Sequence, residues 1–351
     1  MISSDAMPMR YWSFESGFGL DNLVLREGRI PDPGPRDVVL EMAAASFNYR
    51  DLVVMRGQHG RRVTPPLIPL SDGVGRICGM GSDIDGFELG DRVSPCFYQH
   101  WQGGDPPLDL ERGRLGGPLD GVLATHGVFP ASAVIAIPDT LDDAQAATLP
   151  CAGVTAWSAL SEPQPVRPGE TVAILGTGGV ALMALMLAKA AGCRTIVTTS
   201  SAERAVRLET LGADLAIDRS ATPDWSKAIR EATGGDGCDR ILELGGAETL
   251  GDSVKAVRTG GTLILIGNVT GNVAELFLPL VLTRRLTLHS VSCGSRESFE
   301  ALVRAIETHD IHPIVANVFP FDDAPEAYRA FEASGQFGNV CIRCVPNSDA
   351  S

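Results

Sequence analysis

The sequence predicts an α/β protein in which a doubly wound parallel sheet is joined to a separate β-rich part. Three observations carry this. After Pro168 short apolar strands alternate with helices, and such a run builds one parallel sheet covered by helices on both faces. From Asp37 to Val93, by contrast, short Val- and Ile-rich runs are punctuated by Gly, Pro and Asp, a β-rich text with few helices. Finally, 351 residues exceed what one hydrophobic core usually fills, so two domains are expected.

In chain order, "VVLEMAA" and "GVGRICG" read as strands. Residues 99–121 are crowded with Gly and Pro and show no periodicity, so they read as an exposed loop. Strand text resumes with "GVLATHGVF" and "AVIAIP". The alternation then opens with strand "ETVAILG", helix "VALMALMLAKAAG" closed by Gly192, and strand "RTIVTTS". Helix "AERAVRLETLG", strand "LAID", helix "DWSKAIREATG", strand "DRILELG", helix "AETLGDSVKAVRTG", strand "TLILIGN", an apolar helix through "LPLVLTRR" and strand "LTLHSVSC" follow. The end holds helices "RESFEALVRAIETHDI" and "APEAYRAFEAS" and a final strand, "NVCIRC".

Composition narrows the partners. A formal charge of −14 works against nucleic acid or an anionic membrane, which leaves a small-molecule substrate as the expected ligand. The longest apolar runs, "VALMALMLAKAA" and "LFLPLVL", fall far short of the roughly 20 residues that span a bilayer. The start, "MISSDAMPMRYW", lacks the basic and apolar regions of a secretory signal, so a cytoplasmic location is expected. Eight cysteines are scattered without the clustering of a disulfide scaffold and read as reduced thiols.

Between the first strand and helix of the alternating region stand Gly176, Thr177, Gly178, Gly179, Val180 and Ala181. A glycine triplet alone is weak evidence. Here the first glycine permits a tight turn, the second admits a pyrophosphate, and small Ala181 lets helix lie close on strand. The helix N-terminus then favours the phosphates. The next strand ends without the Asp or Glu that accepts from a ribose 2′-OH. Thr199, Ser200 and Ser201 stand there, with Arg204 in the following first turn, a set that suits a 2′-phosphate. NADP(H) is therefore expected, with NAD(H) as the alternative. Ser200 or Ser201 also reads as a helix cap, and Arg204 as a solvated charge.

The motifs "FNYRDLVVMRG", "PLSDGVGRI", "GFELGDRV", "DGVLATHGVFP", "ATLPCAGVTAW", "VRPGETVAILGTGGVA", "TLGAD", "LIGN" and "FGNVCI" run in order along nearly the whole chain. In this the sequence resembles the medium-chain dehydrogenase/reductase superfamily, in its zinc-free quinone oxidoreductase and enoyl reductase branch. The resemblance implies a Rossmann-type sheet at residues 141–294, inserted in a GroES-like β-rich catalytic domain formed by residues 1–140 and 295–351. It also implies a homodimer and a substrate cleft between the domains. Zinc-dependent members hold their metal with Cys, His and a second Cys or Asp. The matching places here carry Asn48, Ser71 with Asp72, and Cys151, a poor set for a catalytic zinc. Cys96 stands alone where relatives carry four cysteines for a structural zinc. No metal is expected, and Cys151 reads as packing.

Without a metal, charge developing on an acceptor needs hydrogen-bond donors. The Asn48 amide and the Tyr49 phenol stand where the metal-binding relatives carry their ions. Tyr49 reads equally well as packing. Thr155 resembles the family residue that orients the nicotinamide, or it caps or packs its helix. Gly245, Gly267, Asn268 and Val269 end the fourth and fifth strands of the sheet, at the edge where doubly wound folds bind ligands. The expected reaction is NADPH-dependent reduction of a quinone or an α,β-unsaturated carbonyl. The alternatives are an alcohol dehydrogenase of the same superfamily and a noncatalytic NADPH-binding protein.

Overall fold

The computed structural model describes residues 7–60, 62–333 and 335–344. Residues 1–6, on which part of the amino-terminal reading rests, lie outside it, as does Arg61 of "HGRRV". Two compact units form. One comprises the chain through Val154 together with that from Gly294, the other Thr155–Cys293. Residues 141–154 thus pack with the β-rich unit.

In the β-rich unit six strands lie in the order Val315–Pro320, Asn339–Arg343, Asp37–Ser46, Asp72–Met80, Arg92–Pro95 and Val134–Ala136, and His126–Pro130 adds to Asp37–Ser46. Asp37–Ser46 is central because Val38, Leu40 and Met42 are fully buried in the main core at alternate positions, while Val39 joins a smaller apolar cluster with Met9, Ile30 and Ala124. The end of the chain returns beside it, with Cys341 opposite Ser46 in antiparallel register. Phe47 meets Tyr328 edge-on at 4.8 Å in the same core.

Residues 100–112 are irregular and largely exposed, as the sequence suggests, but the second half of the segment 99–121 departs from the expectation of an exposed loop. Residues 113 and 115–117 are buried. In that half, Gly116, Gly117 and Gly121 serve close packing. Gly117 has φ +125° and a Cβ there would lie 2.9 Å from Val63, so the backbone seats where a side chain would collide.

The second unit is a six-stranded sheet in the order Leu215–Asp218, Arg194–Thr199, Thr171–Leu175, Cys238–Glu243, Val257–Leu265, Thr287–Ser290. All five pairings are parallel. The chain enters at a central strand, winds outward, then crosses to Cys238–Glu243 and winds the other way. That reversal makes a crevice at the carboxyl ends of the two middle strands. Thr171–Leu175 is buried throughout, as a strand covered on both faces requires. One helix is shorter than its sequence text. It spans Leu250–Ala256 and gives way to strand at β-branched Val257, which pairs with Cys238. Among the described residues no helix is long and apolar enough to cross a membrane.

Arg240 anchors this unit from inside. It is 3% exposed, and its guanidinium donates to the carbonyls of Ala159 at 2.7 Å, Glu162 at 3.1 Å and Gln164 at 2.6 Å. Arg240→Met should leave those carbonyls unpaired and lower the unfolding free energy by about 3 kcal/mol. Urea denaturation read by far-UV circular dichroism checks this, and an unchanged midpoint would contradict it.

Candidate active site

The β-rich unit gathers four polar segments. Asn48 precedes the helix Tyr49–Met55 as its N-cap, and its backbone N–H donates to Asp51 Oδ2 at 2.8 Å, the return bond of a capping box. Asp51 is 1% exposed and also accepts from Arg50 Nη1 at 3.1 Å. Arg50 Nη2 in turn donates to the carbonyls of Gly116 at 3.0 Å and Gly117 at 3.3 Å. Burial pushes the Asp51 acid up to about 6 against the pull of Arg50.

Asp72, at the head of strand Asp72–Met80, is fully buried beside Ser71. The Ser71 hydroxyl donates to Asp72 Oδ1 at 2.7 Å and the Cys151 backbone N–H to Oδ2 at 2.8 Å. Burial raises this acid to about 7, opposed by the Ser71 hydroxyl, the Asn48 amide and the Cys151 N–H. Asn48 Nδ2 lies near enough to favour the carboxylate, yet it is buried outside bonding geometry with any partner among the described residues. Tyr49 is half-buried at the margin of the core. Cys151 sits in the π-helical turn Leu149–Gly153.

The remaining predicted residues belong to the second unit. Thr155 is 4% exposed in the helix Val154–Ser161. The others cluster at the carboxyl ends of the sheet strands. Gly176 has φ +96°, and neither it nor Gly178 would find any atom within 4 Å of an added Cβ. Gly178 caps the helix Gly179–Ala190 with no side chain bonded to its first turn. Thr199 ends its strand with Oγ1 buried and unpartnered among the described residues. Ser201 caps the helix Ala202–Thr210, its Oγ accepting from Arg204 N at 3.4 Å. Ser200 is exposed and Arg204 half-buried. Gly245 and Gly267 are half-buried, while Asn268 and Val269 are exposed.

Sequence reasoning missed three side chains here. Arg219 follows the neighbouring strand, its N–H donating to Thr199 O at 2.7 Å, so a second guanidinium starts beside the strand end that lacks an acid. Glu243 is 1% exposed and its Oε1 accepts from Gly245 N at 2.8 Å, Gly246 N at 2.9 Å and Thr249 Oγ1 at 2.5 Å. Ser253 Oγ donates to the other oxygen. A lone acid inside the apolar run "ILELG" was the available signal. Asp51 was signalled as well, by its place three residues after Asn48 in "FNYRD".

Comparison with known proteins identifies relatives of the whole fold. Residues 34–139 match the family model for the alcohol dehydrogenase GroES-like domain, and residues 179–308 that for zinc-binding dehydrogenase. A zinc-type alcohol dehydrogenase-like protein of Schizosaccharomyces pombe is 36% identical over 345 residues, covering 96% of this chain and 99% of that protein. An acryloyl-coenzyme A reductase of Sulfurisphaera tokodaii is 25% identical, over 91% of this chain and 96% of its own. The crystal structure of a candidate alcohol dehydrogenase from Sinorhizobium meliloti 1021 superposes with a TM-score of 0.90 at 37% identity, covering 98% of this chain and all of that one. Sheet order, glycine turn and full-length likeness converge: the chain belongs to the medium-chain dehydrogenase/reductase superfamily of NAD(P)-dependent oxidoreductases.

Proposed function

We propose that the protein is an NADPH-dependent reductase that delivers hydride, without a metal, to a quinone or to a C=C bond conjugated to a carbonyl. The observation that carries this reading is the donor set around Asp72. A catalytic zinc takes three Cys, His or carboxylate donors and an open position. Here Asn48 and Ser71 accompany Asp72 and Cys151, and both Asp72 oxygens already accept protein hydrogens. Among the described residues no group of three His, Cys, Asp or Glu side chains is fit to hold a metal. The donor set does not fit zinc.

The dinucleotide fits better. Open space above Gly176 and Gly178 and an uncapped helix N-terminus suit a pyrophosphate, with Thr177, Gly179 and Val180 completing the turn. Thr199, Ser200 and Ser201 without an acid, next to Arg204 and Arg219, favour a 2′-phosphate. When bound, the cofactor supplies the hydride. The chain's own part is to donate from Asn48 Nδ2, and from the Tyr49 phenol, to negative charge growing on the acceptor oxygen. Thr155 orients the nicotinamide, the backbone of Gly267, Asn268 and Val269 holds its carboxamide, and Gly245 opens the same edge of the sheet. Donors of this strength suit an acceptor already conjugated rather than an isolated alcohol, and the name of the acryloyl-coenzyme A reductase relative points the same way.

The homodimer belongs to the same reading. In the second unit Phe277, Leu278 and Leu282 are 70%, 58% and 73% exposed, next in sequence to Thr287–Ser290, the strand at one edge of the sheet. An apolar patch beside an open edge suits a second copy.

Four outcomes test the proposal. Arg204→Ala should weaken NADPH about tenfold and NADH hardly at all; equal losses in fluorescence titrations would refute the 2′-phosphate contact. An NADPH oxidation screen over quinones, enals, enones, enoyl thioesters and simple aldehydes, with NADH alongside, should find a conjugated acceptor best. On that acceptor Asn48→Ala should lower kcat roughly a hundredfold, whereas full turnover in both Asn48→Ala and Tyr49→Phe would remove these residues from the chemistry. The fourth outcome concerns pH. Because the folded chain holds the Asp72 proton up to about 7, the stabilisation from that group is complete below about pH 4 and is lost as pH rises through 7. Thermal unfolding should therefore show a smaller fall in Tm from about pH 5 to about pH 8 in Asp72→Asn than in the parent; parallel slopes would contradict a protonated, metal-free Asp72.

A further inference from the structure

A cavity of about 220 Å³ opens in the β-rich unit, lined by His59, Gly60, Arg62, Glu111, Arg114 and Pro118. It joins His59, Gly60 and Arg62 to Glu111, Arg114 and Pro118 of the loop 99–121, side chains that the site above does not use. Its volume falls below the roughly 300–1,000 Å³ of a whole-ligand pocket, so it suits one terminal group. We propose that this cavity is the subsite for an anionic tail of the substrate, a carboxylate or phosphate set apart from the carbon that accepts hydride. The inference rests on the reductase reading and names the substrate class for it.

Two guanidinium groups face one carboxylate here. Glu111 pairs with Arg114 at 2.7 Å, which leaves Arg62, exposed at the rim, unmatched by an acid of the lining. Arg50 adds charge from behind. Arg114 Nε and Arg50 Nη2 both donate to the Gly117 carbonyl, at 2.9 and 3.3 Å. That shared carbonyl sets the cavity one loop away from Asn48 and Tyr49, which adjoin Arg50 in the chain. Burial, then the charge of Arg50, pulls Arg114 below the ordinary guanidinium range. So much crowded positive charge in a chain of net charge −14 is not a by-product of a basic surface.

His59 completes the lining. Its ring stands edge-on to Phe18 at 4.5 Å, and Nδ1 lies 3.0 Å from the Gly60 carbonyl, which places the proton of a neutral ring on Nδ1. Nε2 is buried with no partner among the described residues. Burial, Arg114 and Arg50 hold the imidazole below its usual value. A bound anion reverses that balance, because an adjacent negative charge favours the protonated ring.

The test compares a neutral enone with two homologues carrying a carboxylate or a phosphate tail, each reduced by the full-length protein with NADPH. The ratio of kcat/KM for the tailed substrate over the neutral one should fall about tenfold in Arg62→Ala and further in Arg62→Glu, carried by KM. The arm with the larger ratio identifies the tail, and an unchanged ratio in both arms overturns the subsite. If no acceptor is reduced, the reductase reading fails by itself. The cavity is then judged by adding acetate or inorganic phosphate while the His59 imidazole is titrated by NMR, its signals assigned with His59→Gln. An upward shift of its midpoint that vanishes in Arg62→Glu supports the subsite; no shift with either anion overturns it.

Discussion

A single buried carboxylate holds the candidate site of the β-rich unit together. Asp72 is bonded to Ser71 beside it and to the backbone of Cys151, 79 residues away, and it lies against the Asn48 amide. An ionised acid without a counterion is costly in such a place. Protonation near neutral pH removes the charge while the carboxyl still accepts from its neighbours. Asp51, one segment away, is equally buried but has the Arg50 guanidinium as its partner. Through Arg50 the chain of polar contacts reaches the carbonyls of Gly116 and Gly117, and through them Arg114 and the basic cavity.

The sheet unit uses a buried acid differently. Unlike Asp51, Glu243 has no ion-pair partner among the described residues; backbone N–H groups of Gly245 and Gly246 and two hydroxyls satisfy its oxygens. Its own carbonyl accepts from Ile266 and Gly267 N–H at 3.0 and 3.1 Å. One residue thus fixes the ends of two adjacent strands, the edge where a dinucleotide is expected. In both units a polar group buried among apolar strands sets loop geometry, and loop geometry sets the site.

The alternation of strands and helices in Thr155–Cys293 was legible because apolar runs, helical periodicity and the Gly176–Val180 turn are local signals. The capping acid at Asp51 carried a local signal as well, at a spacing of three from Asn48, but it was passed over. What escaped sequence reading joins distant segments. The burial of residues 115–117 depends on Arg50, 66 residues before Gly116. Arg219 meets Thr199 only because two parallel strands pair in register. The cavity at His59 draws on two loops whose text carries no period. A Gly-rich segment reads as exposed by composition alone, whereas Gly117 is present because Val63 leaves no room for a side chain.

The central claim is direct hydride transfer to a conjugated acceptor by a site that needs no metal. It is tested most directly with NADPH deuterated at C4 of the nicotinamide, in a single turnover on protein verified metal-free by elemental analysis. The account predicts deuterium on the β-carbon of an enone product, at a rate unchanged by chelator or by added zinc. Product formation that appears only after zinc is restored would contradict it.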